Sequence, residues 1–461
     1  MTRVAIVDSG VANLASIRSA IERLGVGICV TRSPDEVTAS SHIVLPGVGS
    51  FGTGMAALAE TGLDRALLHA HSVGKPLLAV CLGMQLLGDS SDESPGVTGL
   101  GIFPGRFRSL PDSVRVPHLG WNGVQASKRA AFFASGDAAF ANSYCLTEPP
   151  AGWEVAWTTH GIPFVSGLSR GRTVALQFHP ELSGSYGLSL IARWLTGAPA
   201  ESAAATTIPE GRVARRIVPC LDVRNGRVVK GIRFQNLRDA GDPAQQASSY
   251  ETQGADEIIV LDVGATPESR GNQLQTVRAV RAALSIPLTV GGGVRSLVDA
   301  RELLSAGADK VSVNTAAVND PSLLTRMARV FGTQCVVLAI DARRNSSWWE
   351  VLVRGGRDAT GNDAIEWARS GTELGAGEIL LTSWDRDGTR SGCDLELLQA
   401  ATGAVRVPVI ASGGIGTRAD VAQAFRAGAD AVLAASIFHD GDDTVTAVKS
   451  YLIEQGITVR I

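Results

Sequence analysis

Charge of one sign, aromatic rings and regularly spaced cysteines are all scarce in this chain, and each shortage excludes something. Lysine and arginine (42) nearly balance aspartate and glutamate (45), for a net charge of −3. No broad electrostatic surface is therefore offered to nucleic acid or an anionic membrane. No apolar run is long enough to cross a bilayer, so neither nucleic acid nor membrane is expected as a partner. The six cysteines, at 29, 81, 145, 220, 335 and 393, show no Cys-x-x-Cys or Cys/His spacing. That pattern argues against a structural metal and for reduced thiols in a cytoplasmic setting. The stretch from Thr2 to Asp8 reads as a first buried strand rather than a secretory leader. With 45% apolar and 5% aromatic residues over 461 positions, the chain has the composition of an α/β protein with room for two cores.

The apolar run Pro76-Leu-Leu-Ala-Val-Cys-Leu-Gly-Met-Gln85 drives a predicted strand into Cys81 and then Gly83, the layout of a nucleophile elbow. Nearly a hundred residues later, Gln177-Phe-His-Pro-Glu181 places an imidazole and a carboxylate two residues apart at a second strand end. A thiol with an ordinary pKa of about 8.5 is mostly protonated at neutral pH, so it attacks a carbonyl well only beside a base. His179 supplies that base, and Glu181 orients the ring and stabilises it once charged. Taken alone, Cys81 reads as a buried core thiol; the histidine and glutamate at a second strand end favour the nucleophile.

These residues resemble the glutaminase domain of the triad-type glutamine amidotransferases. Leu45-Pro-Gly-Val-Gly-Ser-Phe-Gly52 is similar to that family's glycine-rich oxyanion strand, where N–H groups at Gly47 and Gly49 would approach a tetrahedral intermediate. The resemblance implies that Gly52, Gln85, Ser143 and Tyr144 line the glutamine pocket. Pro117-His-Leu-Gly-Trp-Asn122 resembles a segment of the imidazole glycerol phosphate synthase glutaminases. Two positions depart from the pattern: Ala79 stands where a glycine is usual, which predicts a tighter elbow, and Leu182 replaces a lysine.

The first domain is expected to span residues 1–196, with an open flavodoxin-like sheet. Residues 197–211 are small and polar with a proline near each end and read as a linker, able to reach roughly 50 Å when extended. From 212 to 461 the sequence repeats itself. Gly254-Ala-Asp-Glu-Ile-Ile-Val-Leu-Asp262 matches Gly375-Ala-Gly-Glu-Ile-Leu-Leu-Thr-Ser383, an offset of 121 that also relates Gly291-Gly-Gly293 to Ser412-Gly-Gly414. Four short β-branched runs per half, separated by helical stretches, predict a (β/α)8 barrel made of two half-barrels.

Chemistry in such a barrel sits at the C-terminal strand ends. Asp222 and Asp341 are expected there, at the ends of strands one and five, as a pair for acid and base work. Gly293, Asn314 and Thr315 on one side, and Gly413, Gly414 and Ser436 on the other, offer small N–H and hydroxyl donors for a substrate phosphate at each end. This half resembles the cyclase domain of the imidazole glycerol phosphate synthase family over nearly its full length, on Ile217-Val-Pro-Cys-Leu-Asp-Val-Arg-Asn-Gly-Arg-Val-Val-Lys-Gly231, Asn236-Leu-Arg-Asp239 and Leu381-Thr-Ser-Trp-Asp-Arg-Asp-Gly-Thr389. The resemblance implies Asp222 and Asp341 as the acid/base pair, Lys230 near the reacting centre, and Asp262, Thr382 and Asp387 on the substrate. Gly264 stands where that family usually has threonine.

Arg216, Glu257, Lys310 and Glu378 each adjoin the start of an apolar strand and so ring the opposite end of the barrel. Charges there ordinarily serve stability; the resemblance implies a salt-bridged gate over an ammonia route. It also implies glutamine and the bis-phosphorylated ribulosyl formimino intermediate of histidine biosynthesis (PRFAR) as substrates, imidazole glycerol phosphate and AICAR as products, each domain as the other's partner, and no metal or organic cofactor. An isomerase-type barrel acting on the sister substrate, or a scaffold with a silent glutaminase, remain as alternatives.

Overall fold

The computed structural model describes residues 3–10, 14–127, 130–200, 206–232, 235–265 and 271–461, without side chains at 230–232 and 235–238. The side chain of Lys230 therefore lies outside the described residues. The main break between two compact units falls at Val213/Ala214. Among the described residues no helix is long and apolar enough to cross a membrane.

The first unit is built on a nine-stranded open sheet. Five strands run parallel in the order Gly27–Thr31, Arg3–Val7, His42–Leu45, Leu77–Val80 and Thr173–Leu176. The sheet then continues antiparallel through Ile162–Arg170, Glu154–His160, His118–Ala126 and Gly136–Asn142. Alternate residues of the central strands feed two apolar layers: Ala5, Val7, Leu77 and Ala79 join one, and Val4, Ile6, Leu78 and Val80 the other. Strands covered on both faces need unbroken apolar runs, which is why these read as such in sequence. Ala79 pairs in register with Leu45 and Ala175, and its methyl joins the same buried layer as Leu45 and Leu82. The missing glycine is thus absorbed by the core.

The second half of the expected linker is fastened to this unit. Asp137 accepts hydrogen bonds from the Thr206 hydroxyl (2.5 Å), the Thr207 N–H (3.0 Å) and the Thr207 hydroxyl. Ile208 is fully buried and Val213 bridges to Asn122. A Cβ on Gly123 would meet Thr206 Oγ1 at 2.6 Å, so glycine there makes the room.

The second unit closes eight parallel strands into a barrel: β1 Arg216–Arg224, β2 Ile258–Asp262, β3 Leu288–Gly291, β4 Lys310–Val313, β5 Val336–Asn345, β6 Glu378–Ser383, β7 Val409–Ser412 and β8 Ala431–Ala434, with β8 paired back to β1. The repeat runs deeper than the strands. Helices start on side-chain caps at Asp242 and Asp363, and at Ser296 and Thr417, each pair 121 apart (363 − 242 and 417 − 296). Strand Arg227–Ile232, in the hairpin after β1, corresponds at the same offset to Trp348–Val353, in the hairpin after β5. Inside the barrel, alternate residues of each strand point to the axis. On β1 they run from Arg216 through Val218 and Cys220 to Asp222. Val218, Ile259, Val337, Ile410 and Ala431 belong to one buried cluster, so the interior is a packed core.

Candidate active sites

Cys81 follows the strand Leu77–Val80 and caps the helix Leu82–Leu87 with φ 55 and ψ −112. Such a backbone is left-handed and costs a non-glycine residue on the order of 1–3 kcal/mol, a strain that a tight strand-to-helix turn imposes to present its side chain. The turn closes only because residue 83 lacks a side chain: a Cβ there would lie 2.0 Å from the Leu45 carbonyl oxygen. Gly47 answers from the other strand, where a Cβ would meet Gly83 N and Leu82 Cβ at 2.7 Å. The elbow and the glycine-rich segment are thus in backbone contact. Gly83→Ala is expected to part them, lowering stability by about 2–3 kcal/mol and Tm by about 5 °C or more. Scanning calorimetry beside a glutaminase assay checks it, the latter falling on the order of 100-fold through misplacement alone.

His179 and Glu181 meet this thiol from the turn Pro180–Leu182. His179 Nδ1 is 2.8 Å from Glu181 Oε1, and its other face hydrogen-bonds Cys81; all three are buried. Burial alone would depress the imidazolium, but the Cys81 and Glu181 charges outweigh it and hold His179 well above the usual histidine range. A thiol, an imidazole and an orienting carboxylate thus stand in line, the arrangement that nucleophilic attack by sulfur requires. The turn is itself set by a close approach, since a Cβ on Gly187 would lie 1.8 Å from the Pro180 carbonyl oxygen.

Around the triad, Gln85 donates to Gln177 Oε1 (3.2 Å), and Gln177 in turn donates to Cys81 Sγ (3.8 Å). Sequence spacing alone gives Gln177 no role; the fold sets it beside the thiol. Gly49 takes φ 101, and the Gly52 N–H donates to Ser94 Oγ at 2.9 Å. Ser143 accepts from Leu110 N–H, and Tyr144 pairs with Ser109. A residue absent from the sequence reading also belongs here. Glu93 accepts the Phe51 N–H at 2.6 Å; its burial raises its pKa, and it is one of the charges that raise Tyr144. No local motif flags Glu93, because only the fold brings it beside Gly52 and Tyr144.

At the barrel mouth a cavity of about 430 Å³ gathers Asp222, Asp262, Gly293, Asn314, Thr315, Asp341, Thr382 and Asp387. Asp222 and Asp341 are not helix caps but lie within β1 and β5. Their sequence offset is 119 (341 − 222), two short of the repeat, yet Asp222 pairs with Leu261 and Asp341 with Thr382, themselves 121 apart (382 − 261). The sheet register thus makes them equivalent. Burial, and next the charge of Asp387, push each carboxyl up to about 7, against weaker opposing hydrogen bonds from Cys220 and from Asn314 Nδ2 (3.0 Å to Asp341). Carboxyls so placed can hold or release a proton at neutral pH. Asp262 has its Oδ1 engaged by the Gly264 and Ala265 N–H groups, at 3.2 and 3.1 Å. Gly293 and Gly414, equivalent by the repeat, take φ 71 and 87. Gly413, Gly414 and Ser436, expected to bind the second phosphate, do not line this cavity, although their neighbours Ser412 and Ala435 do.

The four charges expected at the other end form one closed network. Arg216 bonds Glu257 (2.7 Å) and Glu378; Lys310 bonds Glu257 (2.7 Å) and Glu378 (2.5 Å). All four are buried, and Thr289 also donates to Glu257 at 2.5 Å. Such a ring is held by mutual pairing against a heavy desolvation cost, so loss of one member strands a buried charge.

Residues 5–196 match the family model described as Glutamine amidotransferase class-I, and residues 216–444 that described as Histidine biosynthesis protein. The first unit is a class-I glutamine amidotransferase domain and the second a histidine biosynthesis barrel. Joined in this order on one chain, the two domains have the architecture of a fused imidazole glycerol phosphate synthase.

Proposed function

We propose that the chain hydrolyses glutamine at Cys81 and uses the ammonia in its barrel to convert PRFAR into imidazole glycerol phosphate and AICAR. One observation carries this reading: a Cys–His–Glu triad shares its chain with a barrel mouth where two half-buried aspartates titrate near 7 between repeat-related glycine turns. In the glutaminase half, the Cys81 thiolate attacks the carboxamide carbon and the N–H groups near Gly47 and Gly49 receive the oxyanion. His179 delivers its proton to the departing ammonia, then draws one from the water that cleaves the thioester, leaving glutamate. Glu93 is an anion suited to the α-ammonium of the substrate. In the barrel, Asp222 and Asp341 share acid and base roles, one giving a proton to the departing aminoimidazole nitrogen while the other takes one from the attacking ammonia.

Ammonia set free in water would be protonated and lost as a nucleophile, which favours a protected transfer between the sites. If the barrel axis is that route, the Arg216–Glu257–Lys310–Glu378 ring must open as a gate, and the Val218, Ile259, Val337 and Ile410 layer must yield. The free cysteines fit a reducing compartment, the cytoplasm. The test is glutamate release measured with and without PRFAR, with ring closure followed in parallel. Stoichiometric glutamate and imidazole glycerol phosphate are expected; isomerisation of the sister substrate without ring closure would reverse the assignment of the barrel.

A further inference from the structure

The hairpin after β5 turns through Arg354, Gly355, Gly356 and Arg357, and this turn lines the same cavity as Gly293, Asn314 and Thr315. It is fixed on two sides. The Arg354 N–H donates to Thr315 Oγ1 at 3.0 Å, tying the turn to the predicted phosphate cradle. On the other side Trp384, from the loop after β6, packs so closely that a Cβ on Gly356 would lie 2.1 Å from its ring. Arg354 itself sits at φ 56, a strained backbone in a side chain that lines a cavity.

The guanidinium of Arg354 is engaged by Asp358 at 3.1 Å, in an exposed pair of the kind worth well under about 1 kcal/mol. Among the described residues no carboxylate pairs with Arg357. Deeper in the cavity stand Asp222, Asp262, Asp341 and Asp387. A doubly phosphorylated sugar entering against these carboxylates meets repulsion that fixed cations at the rim would offset.

We propose that Arg354 and Arg357 form a cationic clasp over the phosphate lodged at Gly293, Asn314 and Thr315, and so select a substrate carrying a phosphate at that end. The idea rests on the barrel function proposed above. Asp358 holds the place of the ligand: Arg354 exchanges a weak carboxylate pair for a bidentate bond to phosphate, which a lysine cannot reproduce.

The experiment uses the full chain with ammonium salts as nitrogen source, so that the glutaminase plays no part. Arg354→Ala and Arg357→Ala are each expected to raise KM for PRFAR about tenfold, the double variant about a hundredfold, with kcat held within about twofold. Arg354→Lys should fall between, and Asp358→Ala should lower KM. Inorganic phosphate, titrated by calorimetry into the same proteins, should weaken in step. A double variant with unaltered phosphate affinity and unaltered KM would overturn the clasp. Failure of the wild-type chain to turn over PRFAR would instead sink the barrel reading, while the phosphate titration would still decide the clasp.

Discussion

Cys81→Ala is expected to release glutamate no faster than background, a loss on the order of 10⁴-fold or more, while synthesis from ammonium salts continues near its wild-type rate. The loss follows because no neighbouring group can replace the thiolate that His179 balances. The survival follows because the barrel aspartates belong to a separate compact unit. Glutamate assay and ammonia-dependent product formation are read on one preparation; loss of both activities would contradict independent sites. The backbone adds a check. Since φ 55 and ψ −112 suit glycine, Cys81→Gly should be equally inactive yet raise Tm, by on the order of 1 kcal/mol of relieved strain.

Asp222→Asn and Asp341→Asn should each stop synthesis from glutamine and from ammonia alike, by on the order of 10²–10⁴-fold, because an amide neither gives nor takes the proton. Their stability should move the opposite way. Each carboxyl has a pKa of about 7 in the fold against 3.8 when exposed, so the folded chain keeps protons that the unfolded chain has lost. With a raised carboxyl pKa, the favourable contribution is complete below about pH 4 and disappears as pH climbs through about 7. Asparagine escapes that penalty. The variants should therefore gain Tm over wild type between pH 5 and pH 8, equivalent to about 1–2 kcal/mol per site for groups partly open to solvent. A Tm difference that stays flat over that interval would mean that the carboxyls titrate normally.

What could be read from the sequence was what the chain writes locally. The elbow at Cys81 and the His179–Glu181 spacing each occupy one stretch of a few residues, and the internal repeat shows in direct comparison of the two halves; only the sheet register shows that Asp222 and Asp341, 119 apart, are equivalent. What could not be read depends on distant contact. Gly83 is required by the carbonyl of Leu45, and Glu93 meets Tyr144 only through the fold. The dominant charge on both barrel aspartates is Asp387 rather than either aspartate itself. The hairpin strands Trp348–Val353 and Asp358–Asp363 were missed because charged and glycine residues fill the connection between them, as they would in a loop.

The attachment of Thr206, Thr207 and Ile208 to Asp137 and the neighbouring core bears on where this polypeptide tolerates editing. A protease nick or an inserted tag just after Thr206 would loosen the strap that Asp137 ties down and uncover the apolar surface beneath Ile208, inviting aggregation. Anyone dividing the gene to make the halves separately should keep that strap with the upstream piece.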